Sequence, residues 1–337
     1  MGVARFVARR AMLALPVIIG STVLVFLISH VIVDDPARVW AGPKASESAI
    51  EAIRIRYHLN EPLHLQYFYY FSGLVRGDWG ISTTNNQNVL NNIANYLPAT
   101  LELVTTATLI TLILGILLGT VSAVRQNKPT DHAIRFFSLA GASSPPFLVG
   151  LILELIFFYY LGWFPSQGRI DANLDPPTRI TGFFTIDSLL TANWPVLQST
   201  ILHLILPAST LALLSTGIVT RLIRSSMLEV LRSDYIRTAW SKGLEERVVV
   251  YKHALRNALI PAVTVVAFTF AYMLSGSIVV EYIFSFPGIG RYAAQSILFL
   301  DFPSMIGTVL VFTLAVVICN LVADILYAVL DPRIRLG

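Results

Sequence analysis

The chain of 337 residues is poor in cysteine and in charge. Its single cysteine, Cys319, excludes an intrachain disulfide and a metal site built from several cysteines. Only 13% of the residues are charged, against about 25% in a typical soluble domain. Because 55% are hydrophobic and the mean hydropathy is +0.68, too few polar side chains remain to cover a soluble globule. The composition therefore predicts a membrane protein.

The chain also lacks the short motifs of nucleotide binding and catalysis. No Gly-Lys-Ser or Gly-Lys-Thr occurs, so the chain has no P-loop with which to bind ATP phosphates. A nucleophile elbow, a zinc-binding helix and a haem-attachment motif are missing as well. We therefore expect no enzyme activity and no bound cofactor, and energy for any work has to come from another subunit.

Six hydrophobic runs are each long enough to cross about 30 Å of hydrocarbon as a helix. They cover about residues 9–33, 99–124, 135–161, 201–223, 258–281 and 304–329. The first run exceeds the roughly 7–15 apolar residues of a signal peptide, so we expect it to be retained as a helix. Pro145 and Pro146 interrupt the third run and Pro207 lies early in the fourth, which predicts kinks.

Positive charge is distributed unevenly between the two sides of these runs. With the N-terminus in the cytoplasm, the inner segments hold 16 of the 24 lysines and arginines. The positive-inside rule therefore favours a cell-membrane protein with both termini cytoplasmic. Because the basic residues flank the spans, we expect no nucleic-acid partner.

On the outer side we predict a cap of helical content at residues 34–98, a loop at 162–200 and a turn-rich segment at 282–303. The cap carries aromatic residues in "QYFYYFSGLVRGDWG". These residues either pack inside a folded cap or lie at the membrane interface, where tyrosine and tryptophan are common.

The stretch from Tyr235 to Pro261 concentrates charge between the fourth and fifth spans. We expect the helix of span four to continue to about Trp240 and to be interrupted at Gly243, because glycine in a helix costs about 1 kcal/mol relative to alanine. The acidic pair after Gly243 suits the first turn of a new helix. The expected apolar face of that helix consists of Val248, Val249, Tyr251 and Leu255. It either lies on the anionic inner leaflet or docks into a cytoplasmic protein.

Glu281 is an ionisable residue at the outer end of span five, next to Pro287, Gly288 and Gly290. Charged side chains in spans usually face protein or water. One interpretation makes these four residues part of an outer gate of a pathway. The other makes Glu281 a structural hydrogen-bonding residue that contacts a neighbouring helix.

Two further carboxylates fall inside the hydrophobic runs. Asp324 lies toward the inner end of span six, and we expect it to pair with a basic residue, Arg221 or Arg224. Glu154 lies within span three, and the sequence assigns it no role.

The charged stretch resembles the cytoplasmic EAA coupling loop of ATP-binding-cassette importer permeases, in the form found in the dipeptide/oligopeptide group. The matching features are Ala239, Gly243 after three intervening residues, and "HALRNALIP" at 253–261. Arg-Thr-Ala at 237–239 replaces the general Glu-Ala-Ala, and Glu245 stands where the group often has a small residue. Further segments resemble the group in the same order: "RFVARRAMLALPVIIGSTVLVFLISHVIVDDPA", "RYHLNEPLHLQYFYYFSGLVRGDWGIS", "YLPATLELVTTATLI", "VEYIFSFPGIGRYAAQSI" and "DPRIR".

The resemblance covers almost the whole chain and implies an all-α polytopic membrane protein of six transmembrane helices. The implied architecture is the type I importer permease fold with an extracellular helical excursion after the first helix. Residues 1–98 would form the first helix and the cap, and 99–330 the core domain with a coupling loop at about 226–257. Residues 331–337 would be a cytoplasmic tail.

The resemblance also implies a non-catalytic permease subunit that forms half of the path for di- or oligopeptides. The implied partners are a second homologous permease in a heterodimer, two cytoplasmic subunits that bind ATP-Mg, and a substrate-binding protein outside. Oligosaccharides or nickel are alternative substrates, and an ion-coupled secondary transporter is a more distant alternative. The residues implied to contact the ATPases are Ala239, Lys242, Gly243, Leu244, Glu245, Glu246, Arg247, Val248, Tyr251, His253 and Arg256.

Overall fold

The computed structural model describes residues 3–32, 35–42 and 45–330, and within these ranges the chain is mainly helical. The predicted tail, residues 331–337, lies outside the described residues. The α-helices are α1 (Val3–Leu27), α2 (Pro36–Ala41), α3 (Glu47–Arg56), α4 (Leu63–Val75), α5 (Val89–Val124), α6 (Pro129–Ser143), α7 (Pro146–Leu153), α8 (Phe184–Leu190), α9 (Trp194–Leu231), α10 (Asp234–Ser241), α11 (Leu255–Ala258), α12 (Ile260–Ile283), α13 (Ile289–Leu298) and α14 (Phe302–Leu330). Short π-helical turns occupy Ile28–Ile32, Glu154–Tyr160 and Val248–Ala254.

Five stretches are long and apolar enough to cross a membrane: Met12–His30, Val89–Val124, Trp194–Leu231, Ile260–Ile283 and Phe302–Ile325. A sixth span results if the bent pair α6 and α7 counts as one, which confirms the six predicted hydrophobic segments. The expected kink in the third span is instead a break, since the helix axis bends by 111° between its two halves. Ser144 and Pro145 have extended ψ angles of 140° and 136°, because a residue before proline avoids the helical region.

The long helices α5 and α9 pack closely along the bundle because α5 carries glycine at the contact. A Cβ atom on Gly115 would lie 2.5 Å from Cγ1 of Val219, and one on Gly119 would lie 2.7 Å from Cβ of Ile223. Such distances leave no room for a side chain, so glycine at these two positions allows α5 and α9 to pack closely. This contact joins the two ends of the molecule through two continuous helices.

We call one end of the bundle the cap end, since residues 35–88 (the cap region) cover it, and the other the basic end. The cap region contains α2, α3 and α4, as predicted for a helical excursion. Trp40 is only 5% exposed and packs edge-on against His30 and Tyr57, with ring centroids 4.9 and 5.1 Å away. Tyr70 joins the same aromatic cluster through Phe26. This packing favours the folded cap over aromatic residues spread along a membrane interface.

The second span begins earlier than predicted. Helix α5 starts at Val89, not near residue 99, because the side chain of Asn88 caps its N-terminus by accepting a hydrogen bond from the Leu90 amide at 2.8 Å. The helix therefore extends about three turns beyond the hydrophobic run into the cap end.

The predicted partner of Asp324 is wrong. Asp324 on α14 pairs with Arg10 on α1, at 3.2 Å between Oδ2 and Nη1. Arg224 on α9 pairs instead with the buried Asp131 on α6, at 2.7 and 2.9 Å, and Ser122 donates to the same carboxylate. The physical reason is the packing order, since α14 lies beside α1 and α9 beside α6.

Candidate functional site

The basic end is dominated by residues 232–258, which we call the basic segment. Helix α9 ends at Leu231, and Ser233 has an extended conformation with a ψ of 153° before α10 begins. The prediction that span four continues to Trp240 is therefore wrong. The local cause is a Ser-Asp pair that suits the start of a helix better than its interior.

The predicted interruption at Gly243 is confirmed. Its φ of +75° lies in the left-handed region, where a Cβ atom is disfavoured, and its amide donates to the Trp240 carbonyl at 2.9 Å. The carbonyl of Glu245 then accepts hydrogen bonds from the amides of Val248 and Val249 at 3.0 and 3.1 Å, which starts the new helix. The segment is thus two short helices joined by a turn that requires glycine.

The apolar face of the basic segment packs against the bundle. Ile236 of α10 is fully buried, and so are Val249 and Ala254, while Val250 is 4% exposed. Together with Ala258 of α11 they form one hydrophobic cluster with residues of α5, α9 and α12: Ala123, Val219, Ile223, Met227 and Ala262. The bundle already covers this face, so it is not free to enter a lipid leaflet.

The predicted apolar face was partly wrong. Tyr251 is 54% exposed and Val250 takes the buried position, while Val248 and Leu255 are partly buried. The reason is the π-helical turn at Val248–Ala254, whose wider i→i+5 repeat rotates the side chains relative to the 3.6-residue period that the prediction assumed.

The opposite face of the basic segment presents apolar side chains among charges. Trp240 is 45% exposed, Leu244 36% and Tyr251 54%. The exposed charged residues of the same segment are Arg237, Lys242, Glu245, Glu246, Arg247, Lys252 and Arg256; Gly243 is exposed as well, and His253 is half-buried. Ala239, in contrast, is 7% exposed and faces the bundle. Exposed aromatic and aliphatic residues with a charged surround are typical of a surface that docks into another protein.

The basic segment is held in place as well as exposed. The side-chain amide of Asn257 donates to the hydroxyl of Tyr235 at 2.8 Å and so ties α11 to α10. A cleft of about 320 Å³ lies between the C-terminal end of α5 and the new helix, with Arg125 and Arg247 in its walls. The shared hydrophobic cluster packs the segment against α5 and α9 beside this cleft.

At the cap end, Glu281 is fully buried and hydrogen-bonded. Its carboxylate accepts from the hydroxyl of Thr100 at 2.7 Å and from the amide of Arg291 at 3.0 Å, while the Thr100 oxygen accepts from the Ile289 amide at 2.8 Å. These bonds join α5, α12 and the start of α13. They support the structural interpretation of Glu281, and its role in a gate stays a prediction.

The neighbouring glycines are required by close packing. A Cβ atom on Gly290 would lie 2.7 Å from the Ile278 Cα atom, and one on Gly288 would lie 2.5 Å from the Thr100 hydroxyl oxygen. Both glycines are buried and Pro287 is half-buried. In this chain the four predicted gate residues therefore form a tightly packed turn.

Sequence reasoning missed a buried ion pair between Glu102 of α5 and Arg169 of the loop before α8. The two side chains are 2% and 7% exposed, and Arg169 Nε and Nη2 lie 3.0 and 2.5 Å from Oε2 of Glu102. The amide and hydroxyl of Thr185 also donate to Glu102, at 2.7 and 2.6 Å, and Arg169 lies 3.6 Å above the Phe184 ring. Burial lowers the pKa of Arg169, and the Glu102 carboxylate opposes that change. A separation of 67 residues left no local signal for the pair.

A second missed network attaches the cap region to the last helices. The buried Asp301 accepts hydrogen bonds from the hydroxyl of Ser82 and from that of Ser304, the latter at 2.8 Å. Ser304 also bonds the hydroxyl of Tyr292 at 2.6 Å, and Asn92 donates to that hydroxyl at 3.0 Å. The cap region is therefore bonded to α5, α13 and α14 at the cap end.

Comparison with known proteins matches nearly the whole chain to one family. Residues 115–336 match the binding-protein-dependent transport system inner membrane component family, and residues 3–104 match its N-terminal membrane component family. A probable D,D-dipeptide transport system permease protein of Escherichia coli (strain K12) is 44% identical over 321 residues, which cover 95% of this chain and 94% of the relative.

Two other relatives align over nearly their full length. A dipeptide transport system permease protein of Alkalihalophilus pseudofirmus is 42% identical over 330 residues, 98% of this chain and 99% of the relative. A glutathione transport system permease protein of Escherichia coli (strain K12) is 36% identical over 330 residues, 98% of each chain. Together with the six hydrophobic segments and the all-α fold, these matches are decisive. The chain belongs to the binding-protein-dependent transport system inner membrane component family, the multi-pass permeases of ATP-binding-cassette importers.

Proposed function

We propose that this protein is the membrane subunit of an ATP-driven importer that carries short peptides across the cytoplasmic membrane. Three of the relatives are named as dipeptide, di/tripeptide or D,D-dipeptide permeases, and one as a glutathione permease. Glutathione is itself a small peptide, so every one of these names points to the same chemical class of substrate. The concentration of 16 of the 24 basic residues on one side supports cytoplasmic termini.

We infer that the basic segment is the surface on which the cytoplasmic ATPase subunits dock. The observation that supports this proposal is that the segment has two different faces. Val249 and Ala254 are buried in the bundle, while Trp240, Leu244 and Tyr251 are exposed in a charged segment. A partner cleft can accept these apolar side chains while the buried face transmits force. ATP is bound and hydrolysed by the partner subunits, and this chain supplies the mechanical contact.

Continuous helices connect this contact to the cap end. Helix α9 has 38 residues and α5 has 36, so each is about 55 Å long at 1.5 Å per residue. Near the far end of α5, Thr100 holds Glu281 and the Ile289 amide. A rigid displacement of α5 would act directly on the turn predicted as the outer gate. This arrangement supports alternating access, in which the helices have two arrangements and binding events at either end of the molecule shift the equilibrium between them.

The proposed second permease would cover an apolar face of the bundle. A depression of about 590 Å³ between α5, α12 and α14 is lined only by apolar and sulphur-containing side chains, among them Ile116, Phe270 and Ile318. Two related permeases facing each other would enclose the path. A substrate-binding protein would then deliver peptide at the cap end.

The docking proposal is tested by a charge placed on the exposed face. We expect Leu244→Asp to abolish co-purification with the ATPase subunits and ATP-dependent uptake in proteoliposomes, because an unpaired charge would enter an apolar cleft. Ile55→Asp is the matched control, since Ile55 is 64% exposed in the cap region. Gly243→Pro should have the same effect as Leu244→Asp, because proline cannot adopt a φ of +75°. Full ATPase binding by Leu244→Asp would overturn the proposed docking surface.

The substrate proposal is tested separately with the importer's own binding protein. We expect short peptides to raise its thermal unfolding temperature and to be taken up with ATP, and oligosaccharides and Ni²⁺ to do neither. Stabilisation by an oligosaccharide or Ni²⁺, with no response to di- or tripeptides, would overturn the assignment to peptides without affecting the docking proposal.

A further inference from the structure

A partly open cavity of about 270 Å³ lies at the cap end, away from the basic segment. Its walls come from the end of the first span, from the cap region, and from the first turns of α14 at Pro303 and Ile306. Aromatic rings, including those of Trp40, Tyr57 and Tyr70, make up much of the lining. The size and the aromatic walls resemble those of small-molecule sites, which are mostly apolar with a few placed polar groups.

Two polar groups in this lining are buried without a hydrogen-bond partner among the described residues. Trp40 is 5% exposed and its indole Nε1–H makes no hydrogen bond, and neither does the hydroxyl of Tyr70. An indole can only donate, so it needs an acceptor, and buried donors in proteins are nearly always satisfied. Burial also raises the pKa of Tyr70, which keeps its hydroxyl protonated and able to donate. Two side chains of the cavity lining therefore carry a hydrogen-bond donor that no described residue satisfies.

The charged residues of the lining are two arginines, Arg56 and Arg76, and one aspartate, Asp78. Within the described part of the chain neither arginine forms an ion pair, and both are exposed at the rim. One oxygen of Asp78 accepts from the amide of Gly80 at 3.2 Å. The excess of cations at the rim and of donors inside favours an anionic group rich in acceptors.

We propose that this cavity binds a small organic acid, with its carboxylate held by the Trp40 and Tyr70 donors and the rim arginines, and its apolar body against the aromatic walls. The site goes beyond the proposed transport function and does not depend on which solute is carried. A bound acid would contact both the cap region and α14. It would therefore strengthen the attachment of the cap to the last span.

The probe is N-acetyl-phenylalanine, compared with its C-terminal amide, which has the same body and no charge. Binding is measured by titration calorimetry on the assembled importer in phosphatidylcholine nanodiscs, without its binding protein. We expect the acid to bind at least about tenfold more tightly than the amide, because hydrogen bonds to a charged group are the stronger ones.

Two variants remove one donor each while keeping the ring. Trp40→Phe and Tyr70→Phe should each weaken binding of the acid about tenfold. The matched controls are Trp194→Phe and Tyr159→Phe, at side chains 61% and 71% exposed outside the cavity, and they should leave binding unchanged. If a core variant fails to assemble, Arg56→Gln combined with Arg76→Gln tests the rim from the surface.

Equal binding of acid and amide would overturn the proposal, and so would acid binding that none of the cavity variants weakens. No binding of the acid at millimolar concentration would assign the cavity to water and overturn it as well. Nanodiscs containing phosphatidylglycerol distinguish the source of the anion. If that lipid abolishes binding of the acid, the cavity holds a lipid headgroup and the assignment to a soluble acid is wrong.

Discussion

The buried pair of Glu102 and Arg169 gives the sharpest stability prediction. Replacing Arg169 by methionine keeps the bulk of the side chain and removes its charge. Glu102, which is 2% exposed, then retains only the two hydrogen bonds from Thr185, at 2.7 and 2.6 Å. Removing one partner of a buried pair costs about 3–5 kcal/mol, because the other charge stays desolvated. Since Thr185 still donates to the carboxylate, we expect a loss near the lower limit, about 3 kcal/mol.

The double variant tests the physical reason for this loss. Glu102→Gln together with Arg169→Met removes both charges, so no unpaired ion remains in the interior. Replacing a whole buried pair by neutral groups is often nearly neutral in free energy. We therefore expect the double variant to be more stable than Arg169→Met alone, although it carries one more substitution. Arg38→Met is the control. Its ion pair with Glu47, at 2.7 Å, has both side chains exposed, so removing it should not measurably change the stability.

The measurement is thermal unfolding of the purified protein in nanodiscs, with limited proteolysis of residues 161–193. At roughly 2 °C per kcal/mol for a long chain, Arg169→Met should lower the midpoint by about 6 °C. The loop should also be cleaved faster, since Arg169 and Thr185 both attach it to α5. If Arg169→Met is as stable as Arg38→Met, the pair does not stabilise the loop, and the argument is wrong.

Three further changes are predicted. Gly217→Ala should cost about 1–3 kcal/mol, because its Cβ atom would press on the Ser138 carbonyl group, whose carbon would lie 3.1 Å away. Gly276→Ala is the control and should be neutral, because a Cβ atom there would have nothing within 4 Å. Thermal unfolding of both variants separates the effect of packing from the effect of replacing a helical glycine. Asp187→Asn should destabilise the loop at pH 7: burial raises the pKa of Asp187, but hydrogen bonds from Thr181 and neighbouring amides outweigh it and lower the pKa below 3.8. The carboxylate thus stabilises the fold above pH 3.8 and loses that contribution as the pH falls through its folded pKa, so unfolding midpoints of variant and wild type should converge in acid. Tyr292→Phe should cost about 1–3 kcal/mol, because it removes the hydrogen bonds of the Tyr292 hydroxyl to Asn92 on α5 and to Ser304 on α14. Asn92 keeps only its bond to Asn85, and equal hydrogen exchange at the start of α14 in both proteins would contradict the prediction.

The predictions that succeeded depended on consecutive residues. A run of apolar side chains partitions into hydrocarbon wherever its neighbours lie, so composition was enough to place the six spans. Gly243 ends a helix because of its own backbone freedom, and the break appears where predicted. The cap helices likewise follow from local sequence, including the serine that caps α3 at Ser46.

The predictions that failed depended on how the elements pack. Asp324 meets Arg10 and not Arg224, because helix order in the bundle selects the partner. Tyr251 faces outward because a π-helical turn, stabilised by the contacts of Val249 and Val250, shifts the helical repeat. A regular period cannot anticipate such a shift.

The sequence by itself determined that this chain carries six apolar segments suited to a membrane, that its basic residues concentrate between alternate segments, and to which family it belongs. Only the tertiary structure decided that Glu281 is buried in hydrogen bonds, that Arg169 pairs with Glu102, and that Trp40 and Tyr70 line a cavity with unsatisfied donors. The physical reason is range. Hydrophobic partitioning and helix propensity act on neighbouring residues, whereas hydrogen bonds and ion pairs act over about 3 Å between groups that only packing brings together.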